Sequence, residues 1–582
     1  MPDLTFNWKF YAFNLFFGNW TQGEGAGQAT YTGDLKGDET GIQLFTNFRA
    51  NQGEDIGTPV TLTYSFVAGT PSDNRMNKAE EFATYADYVD EPMSEELRQA
   101  AREVMDEISA VANITFVEAG EGELANINIF QQHGAGGVAW PVMGPDNATV
   151  LSIGEGYASN DEKGAKADDF ALDEWKFVFR HELGHALGLT HPSEYESAAW
   201  PGDPFDPGST MIPLDEATKA FTNMSYVDHE QFADLYGNSV FELIYGVSGD
   251  YTVESLGLLD IKTLQFLYGA NESPSAGNDT YEFRAENASV VTIYDSGGID
   301  TFDLSGQQHG VIVSLEEASF SSIGLVYTDG DVDVLFQNNV AIAWDTVIEN
   351  AIGSDFGDMI HGNSASNALH GKAGDDALYG AGGDDVIIGG AGADRVHGGV
   401  GQDAIWAGAS DQSADYVEAG DGDDTIGGGA GNDELYGDQK RGYGHGDDVI
   451  YGGAGDDTIS GDAGNDLLYG GIGNDVIRGR WGDDTLFAGD GDDQLSGGSG
   501  ADIFVFSGAT GHDVITDFDP GTDTLDLQGI VSAFADIAAV QNAAQETELN
   551  GEAGLLIVLG GSSEVFVAGL ALSELEGANL IL

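Results

Sequence analysis

The feature that most constrains this chain is an acidic position that recurs every nine residues through its second half. The repeat is interrupted by insertions at 404–414 and 434–447, and an apolar residue stands two places after every one of the sixteen positions. A strict short period predicts one supersecondary unit per repeat, stacked on its neighbours. The sixteen positions are Asp358, Asn367, Asp376, Asp385, Asp394, Asp403, Asp415, Asp424, Asp433, Asp448, Asp457, Asp466, Asp475, Asp484, Asp493 and Asp502.

The spacing has a direct physical interpretation. About six residues of each repeat form a turn whose glycines permit positive φ angles, and about three form a short strand. The apolar residue points inward, and two repeats complete one coil, which gives two small parallel sheets. Aspartate carboxylates and turn carbonyls then line gaps between coils, and these oxygens are the ligands that Ca²⁺ prefers. A low-complexity Gly/Asp linker is disfavoured because a linker would not keep its apolar residue in phase.

This pattern resembles the G-G-x-G-x-D-x-U-x repeat of RTX proteins. The resemblance implies a parallel β-roll filled with several structural Ca²⁺ ions. It also implies secretion to the extracellular space by a type I ABC machinery that reads an uncleaved C-terminal signal. The aspartates expected to bind calcium are Asp376, Asp385, Asp394, Asp403, Asp424, Asp433, Asp448, Asp457, Asp466, Asp475, Asp484, Asp493 and Asp502.

Charge limits the possible partners. The chain has 20 Lys and Arg against 99 Asp and Glu, a net charge of −79, which disfavours nucleic acids and anionic membranes. A solvated, salt-adapted surface and extensive cation binding both explain this charge. The chain has no cysteine, so disulfides are excluded, and bound metal ions are the expected means of cross-linking the fold. The N-terminal residues do not show the pattern of a signal peptide, and no apolar run has the length of a membrane-spanning helix, so we expect neither an N-terminal signal peptide nor membrane insertion.

Ahead of the repeats, hydrophobic periodicity alternates between strand and helix spacing. Residues 60–66 alternate apolar and polar side chains, and Ser94 precedes a helical pattern that extends to about Val111. Further strands are predicted at 114–117, 125–130 and 136–141, and further helices at 172–187 and 256–268. This order predicts an α/β or α+β domain, with an edge strand near Trp140 that ends at a proline.

A metal-binding motif lies on the second of these helices. His181 and His185 are four residues apart, so both imidazoles share one helix face and can reach one Zn²⁺ ion. Glu182 lies beside that metal, where a general base is needed. Gly188 permits the helix to end and the chain to reverse, which would bring His191 in as a third ligand. A structural helix with ordinary core histidines is the disfavoured alternative.

The extended motif resembles that of the metzincin peptidases, and Asn223-Met224-Ser225-Tyr226 follows it at a suitable distance. The resemblance implies that Met224 forms an apolar floor under the zinc. It also implies that Tyr226 ligates zinc in the resting state and stabilises the transition state. The zinc motif, this turn and the nonapeptide roll, in that order, resemble the serralysins over roughly residues 58–582.

We therefore expect a multidomain protein with an α/β (α+β) metzincin domain followed by an all-β parallel roll. The expected regions are 1–57 (unassigned), 58–270 (catalytic), 271–345 (β-rich bridge), 346–506 (nonapeptide roll) and 507–582 (β region with the secretion signal). The expected function is that of a secreted zinc metalloendopeptidase, a monomer that acts on proteins or peptides. The alternatives are a calcium-dependent binding or adhesion protein with an inactive peptidase domain, and a zinc hydrolase with non-peptide substrates.

Overall fold

The computed structural model describes most of the repeat region and parts of the N-terminal half. The described residues are 57–66, 93–119, 125–132, 137–139, 149–154, 169–189, 252–253, 255–272, 275–283, 289–326, 334–335, 339–408, 412–438, 445–507, 511–530 and 534–582. Within them, no helix has the length and apolar character needed to cross a bilayer.

The N-terminal part is built on a five-stranded sheet. Its strands are β1 (Val60–Phe66), β2 (Ile114–Glu118), β3 (Ile127–Gln132), β4 (Gly137–Ala139) and β5 (Thr149–Gly154). Their spatial order is β2-β1-β3-β5-β4, with parallel pairs except for the antiparallel pair of β4 with β5. The predicted edge strand is thus confirmed as the edge of this sheet. Strand β5 was missed by the sequence analysis.

Three helices accompany this sheet: α1 (Glu95–Val111), α2 (Asp169–Leu187) and α3 (Leu258–Tyr268). The predicted N-cap is confirmed, because the Ser94 hydroxyl accepts a hydrogen bond from Leu97 N at 3.3 Å. One face of α1 is buried in a core that α2, α3 and the sheet share. Helix α2 begins three residues earlier than predicted, and α3 begins two residues later.

Short strands connect this part to the repeats. They are β6 (Thr252–Val253), β7 (Thr280–Glu282), β8 (Ser289–Ile293), β9 (Thr301–Asp303), β10 (Ile312–Ser314), β11 (Phe320–Ser321), β12 (Leu325–Val326), β13 (Val334–Leu335), β14 (Val340–Ile342) and β15 (Asn350–Ile352). Strands β11, β14, β8 and β6 form a separate four-stranded sheet. Strands β7, β9, β10 and β15 instead begin the two sheets that continue into the repeats.

The repeat strands alternate between two thirteen-stranded sheets, as a two-repeat coil requires. Their bounds are β16 Met359–His361, β17 Ala368–Ala373, β18 Ala377–Gly382, β19 Val386–Ala391, β20 Arg395–Val400, β21 Ala404–Gly408, β22 Tyr416–Asp421, β23 Thr425–Ala430, β24 Glu434–Tyr436, β25 Val449–Ala454, β26 Thr458–Ala463, β27 Leu467–Ile472, β28 Val476–Trp481, β29 Thr485–Asp490, β30 Gln494–Ser499, β31 Ile503–Ser507, β32 His512–Ile515 and β33 Thr524–Gly529. Adjacent repeat strands within each sheet pair in parallel, as in Ile459↔Ile477. The predicted parallel roll is confirmed.

The repeat strands are longer than the three residues that we predicted. Most contain six, because backbone pairing resumes beyond the first glycine, as in Gly453↔Gly471 and Ala454↔Ile472. Gly453 has φ +112°, and a Cβ there would collide with the Gly429 carbonyl on the neighbouring coil. The close stacking of successive turns therefore requires glycine at this position.

The chain ends in a cap of antiparallel strands and one short helix. Its elements are α4 (Ile537–Ala543), β34 (Ala544–Leu549), β35 (Glu552–Gly560), β36 (Ser563–Ala568) and β37 (Asn579–Ile581). Strand β36 pairs with β32 of one roll sheet, and β37 pairs with β33 of the other. Unpaired sheet edges invite association with other chains, and this cap covers the last coil.

All sixteen apolar residues of the repeat are buried in one continuous core. We predict that Ile459→Ala lowers the free energy of unfolding by about 2–5 kcal/mol, because it leaves a cavity in the core between the two sheets. The test is urea unfolding at saturating Ca²⁺. Thr458→Ala, on the outward face of the same strand, is the control, with an expected change within about 0.5 kcal/mol. Equal effects of the two substitutions would contradict the stacking role of Ile459.

Candidate functional site

Helix α2 carries the predicted zinc motif in its last two turns. His181 and Glu182 are almost fully buried, and His185 is half-buried. The two imidazole centroids lie 4.9 Å apart with their planes at 89°. One turn earlier, Trp175 stacks on Phe179 at 5.2 Å inside the core, which anchors the helix. The structure therefore brings both predicted histidine ligands together on one helix face.

The helix ends as predicted, at Gly188 with φ +104°. Leu189 N donates to the Gly184 carbonyl at 2.9 Å, and Gly188 N donates to the His185 carbonyl at 3.1 Å. These two bonds form a Schellman motif, which reverses the chain directly after the second histidine. Glycine is favoured here because a side chain at this positive φ would be strained.

The same turn orients the His185 ring. Its Nδ1 lies 3.0 Å from the Leu189 carbonyl oxygen, which can only accept a hydrogen bond. In the neutral ring this contact places the proton on Nδ1 and the lone pair, which a metal ion needs, on Nε2. This arrangement is the donor chemistry of a zinc-binding histidine, so the described part of the motif fits the metal.

An ion pair fixes α2 just before the motif. Arg180 Nε lies 2.8 Å from Glu107 Oε2, and the Arg180 side chain is buried. The other carboxylate oxygen, Glu107 Oε1, accepts a hydrogen bond from Leu256 N at 2.5 Å. Glu107 thus joins α1, α2 and the start of α3, a role that the sequence analysis missed because the three segments are far apart in sequence.

Three predicted site residues, His191, Met224 and Tyr226, lie outside the described residues, and their roles stay predictions. The described part of the site comprises His181, Glu182, His185 and Gly188.

The repeat aspartates form two columns, one along each edge of the roll. In each column the carboxylate oxygen Oδ1 of one residue accepts a hydrogen bond from the backbone N–H of its counterpart on the preceding coil, at 2.7–3.2 Å. All sixteen repeat positions are buried. The side chains hold the coils in register as well as offering oxygen ligands.

In eleven of these carboxylates the second oxygen is an acceptor without a donor. Among the described residues, Oδ2 of each of the following is buried and has no hydrogen-bond partner: Asp376, Asp385, Asp403, Asp424, Asp448, Asp457, Asp466, Asp475, Asp484, Asp493 and Asp502. A Cβ on Gly371 would collide with Asp376 Oδ2 and would lie 2.6 Å from the Gly389 carbonyl oxygen. Carboxylate and carbonyl oxygens therefore converge on glycine-lined gaps, and this donor set fits calcium.

Burial raises the pKa of these carboxyl groups, and neighbouring carboxylates add to the effect. The pKa of Asp376 is raised to about 7, and those of Asp424, Asp448 and Asp466 to about 8. In each case desolvation is the largest cause. Without a cation, the charged form of each column is therefore unfavourable near neutral pH.

The columns are longer than the predicted calcium set. Asp358 and Asp415 lie in phase within one column, Asp513 extends that column, and Asp523 extends the other. Asp415 was recognised as a repeat position but left out of the expected calcium set, because an insertion precedes it in the sequence. Asp513 and Asp523 were missed because the nine-residue spacing ends at 502.

A further acidic group lies before the roll. Asp279, Asp295 and Asp300 each place a carboxylate oxygen within 4.8 Å of the others. Asp300 is fully buried, and its Oδ2 has no hydrogen-bond partner in the described part of the chain. The spacing Asp295-x-Gly297-Gly298-x-Asp300 was the available signal for this group.

Comparison with known proteins agrees with this architecture. Residues 258–554, just over half of the chain, match the family model described as Peptidase M10 serralysin C terminal. Residues 79–207 match the model described as Matrixin. The second match contains the helix that carries the histidine motif, and the first contains the roll.

Three curated relatives illustrate the similarity. Serralysin of Photorhabdus laumondii is 32% identical over 332 residues, covering 54% of this chain and 62% of that protein. Serralysin of Proteus mirabilis is 30% identical, with 54% and 61% covered, and Metalloprotease AprA of Pseudomonas entomophila is 29% identical, with 53% and 60% covered. The chain thus spans about three fifths of the length of these relatives. Its roll, its matrixin segment and these matches together place the chain in the serralysin-type family of M10 metallopeptidases.

Proposed function

We propose that this protein is a zinc metalloendopeptidase that hydrolyses peptide bonds in protein substrates. The observation that carries the proposal is the hydrogen bond from His185 Nδ1 to the Leu189 carbonyl, because in the neutral ring it places the lone pair of a metal-binding imidazole on Nε2. His181 lies on the same helix face and supplies the second imidazole. The Gly188 turn directs the following chain, which carries His191 as the proposed third ligand.

One zinc ion, when bound, supplies a Lewis acid that polarises the scissile carbonyl and lowers the pKa of water. Glu182, adjacent to His181 and almost fully buried, takes a proton from the attacking water and passes it to the leaving amine. Tyr226 is proposed as a resting ligand that moves to hydrogen-bond the oxyanion. Met224 is proposed as the apolar floor of the site.

Strand β4 is the proposed binding edge for extended substrate. It lies at the end of the five-stranded sheet and against α2, the helix that carries the histidines. One side of an edge strand has unpaired backbone groups, which can add a substrate strand by main-chain hydrogen bonds. This mode selects peptides over other zinc-hydrolase substrates, which favours the peptidase over the non-peptide alternative.

We further propose that several Ca²⁺ ions assemble the roll and that the protein is exported by a type I ABC machinery. The buried Oδ2 atoms and the raised pKa values of the aspartate columns support the calcium proposal. The Asp279, Asp295 and Asp300 group is a candidate for one more ion. Inside a cell, where Ca²⁺ is scarce, the columns would repel themselves, so folding would wait until export to the extracellular space. We expect the exported protein to be a monomer.

A calcium-dependent binding protein with an inactive peptidase domain is the second candidate. Its supporting observation is the length of the roll, which is far larger than the sheet of the catalytic part. The intact His181, Glu182 and His185 favour the peptidase.

The first prediction concerns the general base. Glu182→Ala is expected to lower kcat on casein by about 10²- to 10⁴-fold, because proton transfer is lost while the imidazoles remain. Zinc content, measured by mass spectrometry, should stay at one ion per chain. Glu103→Ala, which removes an α1 carboxylate paired with Lys176 on α2, should leave kcat unchanged. An inactive wild-type protein would favour the binding-protein candidate.

The second prediction concerns the substrate edge. Val138→Pro is expected to raise KM for a peptide substrate about tenfold, because it removes an amide donor from β4. Val138→Ala keeps that amide and serves as the control, with KM close to that of the wild type. A KM unaffected by proline would remove β4 from substrate binding.

The third prediction concerns calcium and pH. A raised carboxyl pKa means that the unfolded chain releases its protons near pH 4 while the folded columns retain theirs to about pH 7–8. Metal-free protein should therefore lose stability as the pH rises through this window. Saturating Ca²⁺ should reverse the trend, because protons and Ca²⁺ compete for the same oxygens. Thermal unfolding between pH 5 and 8 measures how stability changes with pH, once in the presence of EDTA and once at saturating Ca²⁺.

A matched pair of variants distinguishes Ca²⁺ binding by the buried column carboxylates from a general effect of the net charge of the chain. Asp457→Asn removes a buried column carboxylate, whereas Asp456→Asn removes its exposed neighbour. Only Asp457→Asn should raise the Ca²⁺ concentration needed for folding. Equal shifts would mean that the columns act through net charge alone.

A further inference from the structure

Helix α3 and the residues just before it are linked to the zinc-motif helix α2 on both sides of the motif, once through α1 and once directly. Before it, Glu107 accepts hydrogen bonds from Arg180 on α2 and from the Leu256 backbone at the start of α3. After it, the Tyr268 hydroxyl at the end of α3 donates to the Leu187 carbonyl at 2.5 Å. The motif is thus held between two fixed points, Glu107 before it and Tyr268 after it.

The Tyr268 contact has an unusual location. Leu187 is the last residue of α2, and the last four carbonyls of a helix have no partner within the helix. The turn satisfies two of them, at Gly184 and His185, through its own backbone. Leu187 receives its donor from a tyrosine that is fully buried and more than eighty residues away in sequence.

This carbonyl belongs to the turn that orients the His185 ring. Leu187 joins directly to Gly188, and Leu189 accepts the hydrogen bond from His185 Nδ1. A rotation of the Leu187–Gly188 peptide would move the Leu189 carbonyl away from the ring. The Tyr268 hydroxyl opposes that rotation because it fixes the direction of the Leu187 carbonyl.

We propose that Tyr268 is a positioning residue for His185, which acts through the Leu187–Leu189 turn to keep the proton on Nδ1 and the lone pair on Nε2. The proposal deepens the proposed function, on which its zinc consequence rests. The ring of Tyr268 fills core space that phenylalanine would fill equally well. Only its hydroxyl contributes to positioning the histidine, and the sequence did not indicate this contact between distant residues.

The test compares two tyrosine-to-phenylalanine variants of the full, calcium-loaded chain. Tyr268→Phe removes the hydrogen bond to Leu187. Tyr294→Phe removes a similar bond, from the Tyr294 hydroxyl to the Asn271 carbonyl at 3.0 Å, which does not contact α2. Both changes delete one hydroxyl that donates to a backbone carbonyl, so the second controls for a general loss of stability.

Two readouts report on the ring itself. In metal-free protein with ¹⁵N-labelled histidine, the NMR shifts of His185 distinguish the Nδ1–H from the Nε2–H tautomer. Tyr268→Phe should reduce the Nδ1–H population, and Tyr294→Phe should not. In a titration against a chromophoric chelator, Tyr268→Phe should weaken zinc binding about tenfold, the lower end of the effect of orienting partners around metal ligands.

An unchanged tautomer and unchanged zinc affinity in Tyr268→Phe would overturn the proposal, as would equal losses in both variants. If the wild-type chain binds no zinc, the proposed function fails. The tautomer measurement in metal-free protein still decides whether Tyr268 positions the ring.

Discussion

The structure of the C-terminal half depends on burying two columns of carboxylates. Successive side chains in a column lie about one strand spacing apart, about 4.8 Å. Two charges at that distance repel by about 3 kcal/mol at an effective dielectric constant of about 20. The Oδ1 hydrogen bonds align the coils, but they leave each Oδ2 buried, as at Asp448 and Asp466. A hard cation between coils would satisfy those oxygens and remove the repulsion, which is the physical basis of the proposal that Ca²⁺ assembles the roll.

Among the described residues, helix α3 and the bridge strands connect the N-terminal part to the roll. Helix α3 packs into the core around α2, and the segment after it continues into the first roll strands. Asn271 donates to the Ser109 carbonyl on α1 and accepts from Tyr294, which follows β8. Thr292 within β8 donates to the Ser255 hydroxyl just before α3. The bridge strands are therefore hydrogen-bonded to the chain segments on either side of α3.

Much of this arrangement was predictable because its determinants are local. A nine-residue period specifies the coil, and an i, i+4 histidine pair specifies a shared helix face, whatever the rest of the chain does. The N-cap at Ser94 and the turn at Gly188 follow from the preferences of single residues. Strand β5 was missed because its apolar residues Val150, Leu151 and Ile153 form a run too short to be assigned from periodicity alone. Asp415 was recognised as a repeat position, but the insertion before it kept it out of the expected calcium set.

The sequence by itself determined the roll, its inward apolar positions, its acidic columns and the histidine-bearing helix with its glycine stop. Only the tertiary structure decided which carbonyl accepts the hydrogen bond from His185 Nδ1. It also decided that Glu107 on α1 contacts both α2 and the segment before α3, and that the Tyr268 hydroxyl donates to the Leu187 carbonyl. It also brought Asp279 to Asp295 and Asp300. These contacts join groups that are distant along the chain, and their partners are chosen by packing geometry rather than by residue spacing. Repeats and motifs record short-range constraints, whereas hydrogen bonds between packed elements exist only once the core has formed.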